Sequence, residues 1–88
     1  MDNYISTIVE MAIYWTPQGF LPADGRHLTI RNHEALYSLL GANYGGDGTT
    51  DFALPDLRPV DANGVKRDWH PNEIRKMIVT EGLYPTRP

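Results

Sequence analysis

Apolar positions fall into short groups separated by turn-forming residues, which predicts brief elements joined by ordered loops. From Tyr4 to Tyr14 the first half carries Ile5, Thr7, Ile8 and Val9, and the second reads Met11-Ala12-Ile13-Tyr14. That β-branched density suits one strand or two short ones. The i, i+3, i+4, i+7 spacing of Ile5, Ile8, Val9 and Ala12 also fits an 11-residue helix, and periodicity leaves that alternative open. Thr16 to Gly25 holds Pro17, Gly19, Pro22 and an Asp24-Gly25 pair, which predicts turns around one docked apolar pair, Phe20-Leu21, with little regular structure. Leu28-Thr29-Ile30 alternates briefly and leads to Asn32, a good N-cap for a helix from His33 to Leu40. Glu34 suits the positive end of the helix dipole, and Ala35, Leu36, Leu39 and Leu40 form an apolar stripe. Gly41 stands where a left-handed C-cap belongs.

The next stretch, Tyr44 to Arg58, organises the rest. Gly45, Gly46 and Gly48 surround Asp47, so a tight irregular turn is predicted there. Phe52, Leu54 and Leu57 then dock the following segment. Pro55 removes a donor and pushes Leu54 towards an extended conformation, so the segment is expected as an ordered, extended loop and not as an ordinary central strand. Beyond Arg58, the Asn63-Gly64 pair between Val60 and Val65 fits either a two-residue hairpin turn or a plain loop. Asp68 to Asn72 reads as an irregular corner, Ile74 to Val79 as a closing strand, and the last residues, with Pro85 and Pro88, as extended chain.

Eighty-eight residues read as one small domain, 1–88, of α+β class: short strands, one short helix and long ordered loops. A chain of this size hides only about 60 to 65% of its unfolded surface, a thin margin. With no cysteine there is neither a disulfide framework nor a thiolate metal site to help, which leaves oligomerisation as the common device. A formal charge of -3 without a Lys/Arg cluster argues against nucleic-acid or acidic-membrane binding. No apolar run approaches the roughly 20 residues that cross a bilayer, and Met1-Asp2-Asn3-Tyr4 lacks the start of a signal peptide, so no membrane insertion and no export signal are expected.

Candidate chemistry is sparse. Asp47, Asp51 and Asp56 cluster as hard-cation ligands would, but without the alternating order of a calcium loop. The plainer reading makes Asp47 the cap of the glycine turn and has Asp56 bond to nearby backbone or pair with Arg58. No lysine or following helix makes the turn a phosphate cradle. His27, His33 and His70 lie far apart, and no nucleophile motif is present, so neither metal, cofactor nor enzymatic activity is expected. Seven Trp and Tyr residues are many for this length, and such amphipathic rings favour interfaces; about half are expected in the core.

Three blocks resemble the phage tail collar domain, the small module of short tail fibres and of related microcystin-dependent-type bacterial proteins. They are Pro17-x-Gly19-Phe20-Leu21-x-x-Asp24-Gly25-x-x-Leu28-x-Ile30, then Ala35-Leu36-Tyr37-Ser38-Leu39-Leu40-Gly41-x-x-Tyr44-Gly45-Gly46-Asp47-Gly48, then Phe52-Ala53-Leu54-Pro55-Asp56-Leu57-Arg58. Met77 to Val79 with Gly82-Leu83-Tyr84-Pro85-x-Arg87 is similar to the family's closing segment more weakly. Phe20 and Ala23 stand where the family usually shows Trp and Cys, and Pro59 replaces a glycine that commonly opens a long variable region. That region is where the family's receptor contacts and, in some fibres, metal-binding histidines are found, and here it is cut short. The resemblance implies a structural virion protein of a phage tail, made in the host cytoplasm, that attaches, caps or links tail fibres as a homotrimer among other tail or fibre proteins. The alternative is a receptor-binding tip that recognises host surface polysaccharide. Its structural signature is then Gly45, Gly46, Asp47, Gly48, Phe52, Leu54, Pro55, Asp56, Leu57 and Arg58, with Trp15, Trp69, His70 and Tyr84 as candidate interface or receptor residues.

Overall fold

The computed structural model describes residues 4–86; Met1 to Asn3, Arg87 and Pro88 lie outside it, and with them the start of the chain and the end of the closing segment. Met77, Ile78 and Val79 are consecutive and all buried, and a strand buried on both faces needs such a continuous apolar run. They belong to the last strand, β5 (Arg75–Val79), which is the centre of a three-stranded antiparallel sheet. On one side it pairs with β1 (Ile8–Met11), Ile8 opposite Ile78; on the other it pairs with β2 (Phe20–Pro22), Leu21 opposite Ile78. The helical alternative for the first segment is thereby excluded. Ser6 enters the sheet at φ 72, a left-handed conformation, and its N–H donates to the Val79 carbonyl at 2.8 Å.

Between Thr16 and Gly25, where turns and little regular structure were expected, the one short strand is β2. The docked pair Phe20-Leu21 is an edge strand, and Pro22 is tolerated in it because an edge leaves one row of backbone groups unpaired. Closure likewise begins later than expected: Ile74 precedes β5 and is exposed.

A second, two-stranded sheet joins β3 (His27–Thr29) to β4 (Asp51–Ala53), with Leu28 opposite Phe52. Here the expected extended loop contains a short strand. The antiparallel run continues past β4, with Leu54 N–H donating to Arg26, a bridge between Asp24 and Asp56, and Leu57 N–H donating to Ala23. Pro55 has no N–H to give, which limits regular pairing to three residues.

Between the two strands of that sheet the chain makes a 3-10 turn (Ile30–Asn32) and the helix α1 (Glu34–Leu40). Asn32 therefore falls in the 3-10 turn and not at the helix boundary. His33 is the N-cap, and its side chain makes no capping hydrogen bond. Gly41 N–H returns to Tyr37 O at 2.7 Å, but with φ 60 and ψ -155, outside the left-handed helical region. Of the expected stripe, Leu36 is buried, Leu39 and Leu40 are half-buried, and Ala35 is exposed. Leu36, Phe52, Leu54 and Ile78 form the core, bringing together the helix, the stretch after the glycine turn and the central strand. Each contributes about 1.5–3 kcal/mol by leaving water. Leu57, expected to dock beside them, is 36% exposed; Ala53 is buried instead.

Candidate functional site

The turn is built around Asp47. Its Oδ1 accepts the N–H groups of Thr49 and Thr50 at 2.7 Å and of Asp51 at 3.0 Å, and its Oδ2 accepts the Thr50 hydroxyl at 2.7 Å. The Thr50 hydroxyl first, and the backbone donors after it, hold the Asp47 carboxyl well below the usual range. Asp47 N–H donates to Asp51 Oδ1 at 2.8 Å, and Asp51 Oδ2 meets His27 Nδ1 at 2.8 Å across the small sheet. These carboxylates are spent on the loop itself. Gly46, at φ +91, lets the turn lie against β4: a Cβ there would stand 2.5 Å from Phe52 Cα. Tyr37 closes the other side, donating its hydroxyl to Gly48 O at 3.0 Å while its ring sits 5.3 Å from that of Phe52.

The next signature residues form a clamp. Asp56 Oδ1 accepts Arg58 N–H at 3.2 Å and Nε at 3.0 Å, and Oδ2 accepts an Arg58 terminal nitrogen at 2.9 Å. This planar pairing lowers the Asp56 pKa and raises that of Arg58. Both readings of Asp56 are met at once. Arg58 also donates to Asp68 Oδ1 at 3.3 Å, and Lys66 Nζ donates to the carbonyls of Asp56 and Arg58, each at 3.0 Å. A bridge between Val60 and Lys66 makes the intervening segment a small hairpin, as the Asn63-Gly64 pair allowed. Asp61 stabilises its tip by accepting the N–H groups of Val65 and Asn63, which lowers its pKa.

Each of the four candidate interface or receptor residues has its own surroundings. Trp15 is 55% exposed. Tyr84 stands against the helix, its hydroxyl 2.6 Å from Ser38 Oγ. His70 gives its backbone N–H to Glu73 Oε1. Glu73 is held down at about 2, chiefly by hydrogen bonds from Arg67 and then by that N–H. Trp69 lines a cleft, an open depression of about 270 Å³ shared with Tyr14, Thr16, Pro22, Asp24, Asp68 and Arg75. Tyr14 ends the first apolar segment of the sequence, and nothing in the sequence marked Arg75. A larger cleft of about 450 Å³ runs between Thr29–Asn32, Glu34 and Thr49–Thr50, but has no aromatic wall.

Among the described residues no three His, Cys, Asp or Glu stand together as a metal cluster, and no helix is long and apolar enough to cross a membrane. The polar groups around the turn and clamp tie neighbouring stretches of chain together, the arrangement of a structural module. The chain belongs to the phage tail collar domain family: the family model described as Phage Tail Collar Domain matches residues 6–60. A comparison with curated proteins gives no match, and one with solved structures gives none. The matched stretch ends two residues beyond Arg58, so the small hairpin after Val60 and the central strand β5 lie outside it. The family is structural and not enzymatic, which places the chain among phage tail fibre components that associate with other tail or fibre proteins.

Proposed function

We propose that this chain is a homotrimeric collar-type component of a phage tail that attaches, caps or links tail fibres, with residues 1–88 acting as one domain. The observation that carries the reading is the Tyr44–Arg58 scaffold. Its carboxylates hold the loop and hairpin in one shape and leave the module's outer apolar residues free for neighbours. The hairpin after Arg58 is compact, which suits a linking part better than a variable receptor loop. Cryo-electron microscopy of intact tails, with a gold-labelled antibody to this chain, tests it: density at a fibre attachment point is expected, and a location away from any tail particle overturns it.

A second reading, recognition of host surface polysaccharide, is favoured by one observation, the open cleft lined by exposed Tyr14 and half-buried Trp69. Trp69→Ala is expected to abolish adsorption to host cells under that reading, and unchanged adsorption removes it.

A further inference from the structure

We infer that the cleft lined by Tyr14, Thr16, Asp24, Asp68, Trp69 and Arg75 binds a single neutral hexopyranose ring; this deepens the polysaccharide reading and rests on it. Two aromatic side chains line the cleft, and Tyr14 is 73% exposed. The C–H face of a pyranose is apolar and weakly positive, the complement of an aromatic face. Its hydroxyl edge needs acceptors and donors side by side. Asp68 accepts Arg58 through Oδ1, and its carboxylate is 88% exposed, so it retains capacity to accept a sugar hydroxyl. Arg75 anchors one terminal nitrogen on Ile13 O at 3.2 Å and has further N–H groups to donate.

Charge decides between sugar classes and against a cationic ligand. Asp24 is held by Arg26 at 3.0 Å and Asp68 by Arg58, so both carboxylates already have guanidinium partners and do not form a cage for an ammonium group. With their guanidinium partners and Arg75 beside them, charges of both signs surround the cleft, so an acidic sugar meets no field of one sign there either. A neutral ring uses the mixture as it stands. The volume, about 270 Å³, lies just under the roughly 300 Å³ at which pockets for drug-sized ligands begin, which fits one ring with its neighbours projecting outwards. Because the ion pairs and the carbonyl anchor pre-position the polar groups, little ordering has to accompany binding.

The test uses the full chain, labelled with nitrogen-15, titrated with methyl α-glucoside, methyl α-mannoside, methyl α-galactoside and glucuronic acid while amide shifts are followed. At least one neutral glycoside is expected to bind with a millimolar Kd and to move the amides of Tyr14, Thr16, Asp68, Trp69 and Arg75 together. Trp69→Ala and Asp68→Asn should each weaken that binding about tenfold while leaving the remaining spectrum dispersed. Glucuronic acid should bind more weakly than the best neutral glycoside. The site is overturned if no glycoside moves these amides, if the shifts persist in both variants, or if glucuronic acid binds best. Adsorption of the full chain to host cells separates the site from the reading it rests on: adsorption without these shifts overturns the site alone, and shifts without adsorption overturn the polysaccharide reading.

Discussion

At Gly46 a methyl group would stand 2.5 Å from Phe52 Cα and 2.8 Å from the Asp51 carbonyl oxygen, and neither backbone atom can swing aside as a side chain would. Gly64 in the small hairpin has a similar φ of +79 but open space around its missing Cβ. Both substitutions to alanine bear the backbone cost of a left-handed residue, about 1 kcal/mol. Gly46→Ala adds overpacking and should lose at least about 2 kcal/mol more, read as the difference in urea midpoint between the two variants. Equal losses would show that the turn yields. Asp47 makes a different claim, on pH. Its folded pKa is depressed, so its contribution is present above the ordinary carboxylate range and is lost as pH falls through the folded value. Asp47→Asn should therefore lower Tm by about 5 °C at neutral pH and flatten the fall of Tm on acidification, whereas an unchanged acid slope would exclude the carboxylate as its source.

Among the elements, the helix and the glycine turn were legible in the sequence because each is set by neighbours: Asp47 finds its donors within four residues, and Leu36 and Leu40 lie on one side of a short stripe. The strands were less so. β2 was masked by the prolines around it, and β4 by Pro55, because the punctuation of a loop and that of an edge strand use the same residues. Whether a three-residue run becomes a strand depends on a partner far along the chain, as when Leu21 meets Ile78. The cleft was nearly invisible for the same reason, since Tyr14, Asp24 and Arg75 meet only once β5 has inserted between β1 and β2. The hairpin between Pro59 and Arg67 depends on side chains more than on the sheets. Lys66 and Arg58 tie it to Asp56 and Asp68, and its Val60 and Val65 are exposed. Arg58→Ala should raise hydrogen exchange at Asp61, Gly64 and Arg67 about tenfold or more while Val79 stays protected. Equal loosening of Val79 would mean that the clamp holds the core itself.

At the scale of the whole molecule, surface is in excess. The accessible area of 5977 Å² is about 15% above that of a typical monomer of 9.9 kDa, and the radius of gyration of 13.5 Å exceeds the roughly 12 Å of a compact chain this long. The aromatic residues show where some of that surface lies. Tyr37 and Trp69 are half-buried, whereas Tyr4, Tyr14, Trp15, Tyr44 and Tyr84 are each at least half exposed, more than the even division expected from the sequence. Leu83, Ile74, Val60 and Val65 add aliphatic surface. That excess supports the proposed trimer, since association would add stability to so small a core and a closed ring of identical copies covers such surfaces without leaving an open, fibre-forming end. Light scattering after gel filtration should give about three times 9.9 kDa, and Tm should rise with protein concentration because folding and assembly are linked. A monomer at micromolar concentration with full secondary structure by circular dichroism and a concentration-independent Tm would overturn the trimer. It would also mean that the two small sheets and the Asp47 turn suffice to hold the chain folded without a neighbour.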